Sequence, residues 1–92
     1  MCRQAEENPI DRIRRMEFYF DTIQYAFQTA PRSVIQDPTL REMLQKLTEY
    51  YESGLWLADY TQDEQGELPA ELKRGILSED GFWNLLCDIR QL

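Results

Sequence analysis

Residues 8–30 read NPIDRIRRMEFYFDTIQYAFQTA, and this stretch decides the fold. Asn8-Pro9 is a helix start: asparagine caps the first free N–H groups, and proline suits a first helical position whose N–H has no intrahelical partner. Ile13, Met16, Phe20, Ile23, Phe27 and Ala30 then recur at spacings of 3, 4, 3, 4 and 3. That is the repeat of an amphipathic helix, and it predicts a helix over residues 10–30. Phe18, Tyr19 and Tyr25 fall off the stripe. A broad buried face and a dimer seam both accommodate them, the broad face being the simpler account.

Pro31 ends this helix, because the residue before a proline is pushed out of the helical region. Asp37-Pro38 repeats the start signal, and Leu40, Met43, Leu44, Leu47, Tyr50 and Tyr51 follow at i, i+3, i+4, i+7 spacing. Ser53-Gly54 supplies the stop. Helices over 10–30 and 38–52, joined by a connection of about half a dozen residues, make an antiparallel hairpin. Beyond Gly54 the pattern breaks up. Leu55 to Tyr60 fits either a short helix or an extended segment across one end of the hairpin. Thr61 to Glu67 reads as a polar loop with a turn at Gly66, and Pro69 to Arg74 as a helical turn or two closed by Gly75. Ile76-Leu77 dips into the core. Ser78 caps a last helix over about 79–91, with Glu79 and Asp80 in its first turn and Phe82, Leu85, Leu86 and Ile89 on its buried face. The expectation is one all-α domain spanning residues 1–92. The last helix stops within a few turns, at Leu92, which leaves room for a longer native chain.

A chain of 92 residues supports one core, of modest stability unless something else helps. Cys2 and Cys87 make no CxxC and no disulfide framework. The opening MCRQAEENPI lacks the apolar centre of a signal peptide, and no run approaches the roughly 20 apolar residues that span a bilayer. These features point to a cytoplasmic protein with no membrane partner. The net charge of −7 is unevenly placed: five arginines balance five acids in residues 1–36, and five basic against twelve acidic residues follow. Nucleic-acid binding calls for a basic face. Arg12, Arg14 and Arg15 alone offer one, flanked by Asp11 and Glu17, and a solvated helix face accounts for them better.

The chain has no histidine, which removes the commonest general base and the usual nucleophile–base pairs. No glycine-rich phosphate loop is present. Asp59, Asp63, Glu64 and Glu67 do not match a calcium-loop spacing, so no metal, cofactor or catalytic set is expected. Two groups of side chains are nonetheless candidates for an interaction surface or a pocket. One is Lys73, Arg74, Ser78, Glu79 and Asp80, where Arg74 either clamps a carboxylate of a ligand or pins the loop by pairing with a neighbouring acid or helix-end carbonyl. The other is Trp56, Asp59 and Tyr60. Trp56 and Trp83 each read as core, or as an interface anchor if exposed.

Residues 50–81 carry the most distinctive sequence, YYxSGxWLxDY followed by GxLPAxLKRGxLSEDG. This pattern, together with the RIxRME-like start at Arg12 to Glu17, resembles a bacterial family known only as a domain of unknown function, DUF4298. The resemblance implies a small, mostly helical, cytoplasmic bacterial protein and brings no established activity. The functional expectation is a non-catalytic protein-interaction or scaffold module, with a protein partner or self-association as a homodimer. The alternative is a small-ligand- or divalent-metal-binding protein, even an enzyme, built on the Arg74–Asp80 loop.

Overall fold

The computed structural model describes residues 8–78 and 80–92. Five α-helices follow in order: α1 (Pro9–Thr29), α2 (Ser33–Gln36), α3 (Pro38–Glu52), α4 (Leu55–Glu64) and α5 (Gly81–Arg90), with one 3₁₀ turn at Gly75–Leu77. Among the described residues there is no strand and no helix long and apolar enough to cross a membrane. Both expected helix starts form by the expected chemistry. Asn8 Oδ1 accepts from the Ile10 N–H at 2.7 Å, and Asp37 Oδ1 accepts from the Thr39 N–H at 2.8 Å and from that of Leu40. Glycine closes α3 as well: Gly54 sits at φ +96°, a conformation that favours glycine, and α4 starts at the next residue.

The first half of α1 lies beside the last turns of α3, where Arg12, Met16 and Tyr19 share a groove with Lys46, Glu49 and Tyr50. Ile13, Met16, Phe20 and Ile23 of α1 are buried against a core that takes Val34 from α2, Leu47 and Tyr50 from α3, and Phe82, Leu85, Leu86 and Ile89 from α5. Ile76 and Leu77 close it from the 3₁₀ turn.

Four sequence expectations change. The connection between the long helices contains a helix of its own, α2, too short to show periodicity and held by fully buried Val34. Residues Thr61 to Glu64 continue α4 instead of forming a loop, because Asp59 and Asp63, one turn apart, each face an arginine across the fold. Pro69 to Arg74 is not a helix; its carbonyls at Pro69 and Leu72 are engaged by the Arg74 side chain. Finally, α5 starts at Gly81 with no acid in its first turn: Asp80 is the residue before it. Asp80, not Ser78, is the N-cap, and its side chain makes no capping bond; Ser78 Oγ instead accepts from the Gly81 N–H at 3.1 Å, from two residues before the cap. The expected position of Glu79 lies outside the described residues.

Gly75 is crowded by Glu17. A Cβ added there would meet Glu17 Oε2 at 3.0 Å and Oε1 at 3.5 Å, so Gly75→Ala is expected to destabilise the domain by about 1–3 kcal/mol, the usual cost of overpacking. In thermal unfolding that is a fall of roughly 4–8 °C per kcal/mol for a domain this size. Part of the loss should vanish in a Glu17→Ala background, where the clash has no second partner.

Candidate functional site

The distinctive segment and α1 meet at the backbone of one residue, Ile76. Glu17 lies on the buried face of α1, four residues after Ile13 and three before Phe20, and is 6% exposed. Its Oε1 accepts from the Ile76 N–H at 2.8 Å. On the other side of the same residue, Trp56 Nε1 donates to the Ile76 carbonyl at 2.7 Å. A short 3₁₀ turn has few backbone partners of its own, and here two side chains from two helices supply them. Burial pushes the Glu17 carboxyl above the ordinary carboxylate range. The Ile76 N–H opposes that shift, Asp21 adds to it and Lys73 counters it.

A second polar group ties α1 to α3 and α4. Asp59, 1% exposed, receives Arg12 Nε at 2.9 Å and Tyr50 Oη at 2.6 Å on Oδ2, with Arg12 Nη2 on Oδ1. Burial first, and then the hydrogen bond to Asp59, push the Tyr50 phenol far above its usual range, so it acts as a fixed donor. The arrangement is a bidentate arginine–carboxylate pair with a third donor, the Tyr50 phenol, on the same carboxylate, the kind of pairing a buried carboxylate requires.

The remaining candidates are placed as follows. Arg74 uses each guanidinium nitrogen: Nη1 donates to Asp63, Nη2 to the Pro69 carbonyl and Nε to the Leu72 carbonyl. Lys73 reaches back to Asp21 of α1 at 2.7 Å, in an exposed pair, and that contact raises the Lys73 ammonium above its ordinary range. Tyr60 is half-buried and stacks on Trp56, with centroids 5.0 Å apart and planes 11° from parallel. Ser78 and Asp80 are exposed beside the start of α5, and Glu79 falls outside the described residues. Among the described residues, no three or more Cys, Asp or Glu side chains gather in a way that could hold a metal ion. The arrangement joins Trp56, Asp59, Tyr60 and Arg74 to the fold's internal bonding and leaves Lys73, Ser78 and Asp80 at its surface.

Sequence reading missed the roles of Arg12, Glu17, Tyr50 and Asp63. For Glu17 a signal existed, since a carboxylate within an apolar stripe needs a buried donor. Arg12 carried no comparable signal, because its partner is 47 residues away.

The profile of a family described as Domain of unknown function (DUF4298) matches residues 13–92. The chain belongs to the DUF4298 family. No curated protein and no solved structure matches it. Within this DUF4298 chain, the segment that distinguishes the sequence is also the one that supplies Trp56, Asp59, Asp63, Arg74 and Gly75 to the contacts above.

Two measurements probe this bonding. Asp59→Asn removes the buried carboxylate charge on which Arg12 and Tyr50 converge and is expected to cost about 3–5 kcal/mol in urea unfolding, whereas Lys73→Ala, at an exposed pair, should leave the midpoint nearly unchanged. Glu17→Gln tests the raised carboxyl. The folded chain holds the Glu17 proton more tightly than the unfolded chain, so the wild type gains stability as pH falls through the raised value toward the unfolded value of about 4.5. Glutamine has no such gain. Any advantage of Glu17→Gln should therefore be largest near neutrality and shrink as the solution is acidified.

Proposed function

We propose that this DUF4298 domain is a non-catalytic protein-interaction module. The observation that carries the reading is a division of labour among its side chains. The groups best suited to chemistry, Asp59, Glu17, Arg74 and the Trp56 indole N–H, are engaged within the fold. Large aromatic side chains, by contrast, face outward: Phe18 is 60% exposed, Tyr25 69% and Trp83 46%. Trp83 is held by Tyr51, their rings stacked with centroids 6.4 Å apart, so its orientation is fixed before any partner arrives. Preformed aromatic anchors of this type carry much of the energy of protein interfaces.

The alternative of a ligand or metal pocket at Arg74–Asp80 draws no support from this geometry, since all three guanidinium nitrogens of Arg74 already donate to Asp63, Pro69 and Leu72. A cytoplasmic setting fits the reading, in line with the acidic composition and the two cysteines.

Photo-crosslinking in the producing cell tests it. A photoreactive amino acid at position 18, 25 or 83 is expected to trap protein, whether another copy or a different chain, while the same group at exposed position 64 traps little. Equal, weak labelling from all four positions would remove the reading.

A further inference from the structure

The ten basic residues of this acidic chain are not spread evenly over its surface. Three of them, Arg12, Arg15 and Lys46, line the groove of about 340 Å³ between the first half of α1 and the last turns of α3, and Glu49 is the one acid of that lining. Three positive charges against one negative leave +2 there, in a protein of net charge −7. A second groove on α1 has the opposite balance, with Arg14 and Lys73 outnumbered by Glu17, Asp21 and Glu71.

The three cations have different parts to play. Arg12 is immobilised, its Nε and Nη2 donating to Asp59, which is 1% exposed and also bonded by Tyr50. That carboxylate balances the Arg12 charge and makes the side chain a rigid wall. Lys46 is exposed and forms no ion pair with a described residue. Arg15 is exposed as well and carries the planar donor fork that suits a carboxylate. Glu49 accepts from Gln45 Nε2 at 3.1 Å, along its own helix. With Arg12 set against Asp59, the groove keeps a surplus of one positive charge, which a single carboxylate would neutralise. Its apolar lining includes Met16, Tyr19 and Leu55. The Tyr19 ring lies 6.1 Å from that of Phe18, so an outward-facing aromatic adjoins the cations.

We propose that this groove takes a carboxylate side chain from an acidic segment of a different protein, Arg15 and Lys46 gripping the carboxylate and Phe18 and Tyr19 covering the apolar residues beside it. Charge complementarity selects this occupant. A nucleic acid would bring a row of phosphates to a surface with one surplus charge to meet them. A small free acid is poorly served, because Arg15, Lys46, Glu49 and Leu55 are all exposed, whereas small-ligand sites enclose most of their ligand. A second copy would bring its own −7, a mutual repulsion that a partner acidic in one segment alone avoids.

The inference rests on the interaction-module reading and gives its partner a chemistry. A photoreactive amino acid at position 55, in the producing cell, is expected to trap a different protein, and mass spectrometry should find the trapped peptide rich in Asp and Glu. Arg15→Glu/Lys46→Glu should cut that yield about tenfold or more, the effect of setting like charges across an interface, with unchanged circular dichroism. Arg41→Glu/Arg90→Glu makes the same change in net charge outside the groove and should leave the yield nearly unchanged. Lys46→Glu alone, at an exposed side chain without an ion pair, carries the test if the double variant unfolds. A synthetic copy of the trapped peptide should bind the purified full chain and weaken several-fold from roughly 50 mM to 0.5 M salt, as the charges are screened.

A trapped segment without acidic residues overturns the proposal, as does one that comes from a second copy of this chain or a nucleic acid in its place. So does an equal response of the two double variants, which would report net charge alone, or binding of the peptide that ignores salt. If position 55 traps nothing while positions 18, 25 and 83 trap protein, the interaction reading stands and the acidic partner falls. If all four trap nothing, both fall.

Discussion

The backbone of Ile76 is the point on which the structure depends. Its N–H is taken by a carboxylate of α1 and its carbonyl by an indole of α4, so two helices and an irregular segment share one set of bonds. The requirement is stringent on both sides. A buried backbone group without a partner costs about as much as a lost hydrogen bond, and a buried carboxylate without a donor costs more. Each deficiency is remedied by the other. The same contact crowds residue 75: a Cβ there would meet the carboxylate at 3.0 Å.

Much of the architecture was legible because it obeys local rules. The long helices announce themselves through Ile13, Met16, Phe20 and Ile23, through Leu47 and Tyr50, and through two cap–proline pairs, all within a few residues of the structures they specify. The failures share a cause. Residues Thr61 to Glu64 look like a solvated acidic loop until Asp63 is seen to meet Arg74, and residues 69–74 look helical until that same arginine takes the carbonyls of Pro69 and Leu72. Pairings between side chains far apart in sequence override local preference, and they leave no periodic trace. The tryptophans show the same limit. Composition could not say which faces water, and the structure buries Trp56 while leaving Trp83 half-exposed on α5.

The buried polar groups constrain geometry more than they add net stability. Removing Arg12 and Asp59 from water costs several kcal/mol per ion, and their attraction roughly returns it. What the pair contributes is selectivity: with Tyr50 also bonded to Asp59, a shift of α4 by one residue would strand a charge in the interior. An all-apolar seam would tolerate such slippage, since leucines and isoleucines exchange neighbours at small cost. The polar bonds thus fix the register of helices whose apolar faces alone leave it loosely specified.

The separation along the chain of the groups that meet at Ile76 has a consequence for how the protein is made. Glu17 leaves the ribosome 59 residues before its partner N–H, and Phe82, whose ring meets the edge of Phe20, follows later still. Since synthesis proceeds at about 5–20 residues per second, the apolar face of α1 spends several seconds with only α2, α3 and then α4 available to cover it. The N-terminal half can pair locally in that time, as short-range helical contacts form quickly. Closure over Glu17 must await the final third, so the nascent chain passes through a half-roofed stage in which an acidic side chain still faces water at the open end of the core.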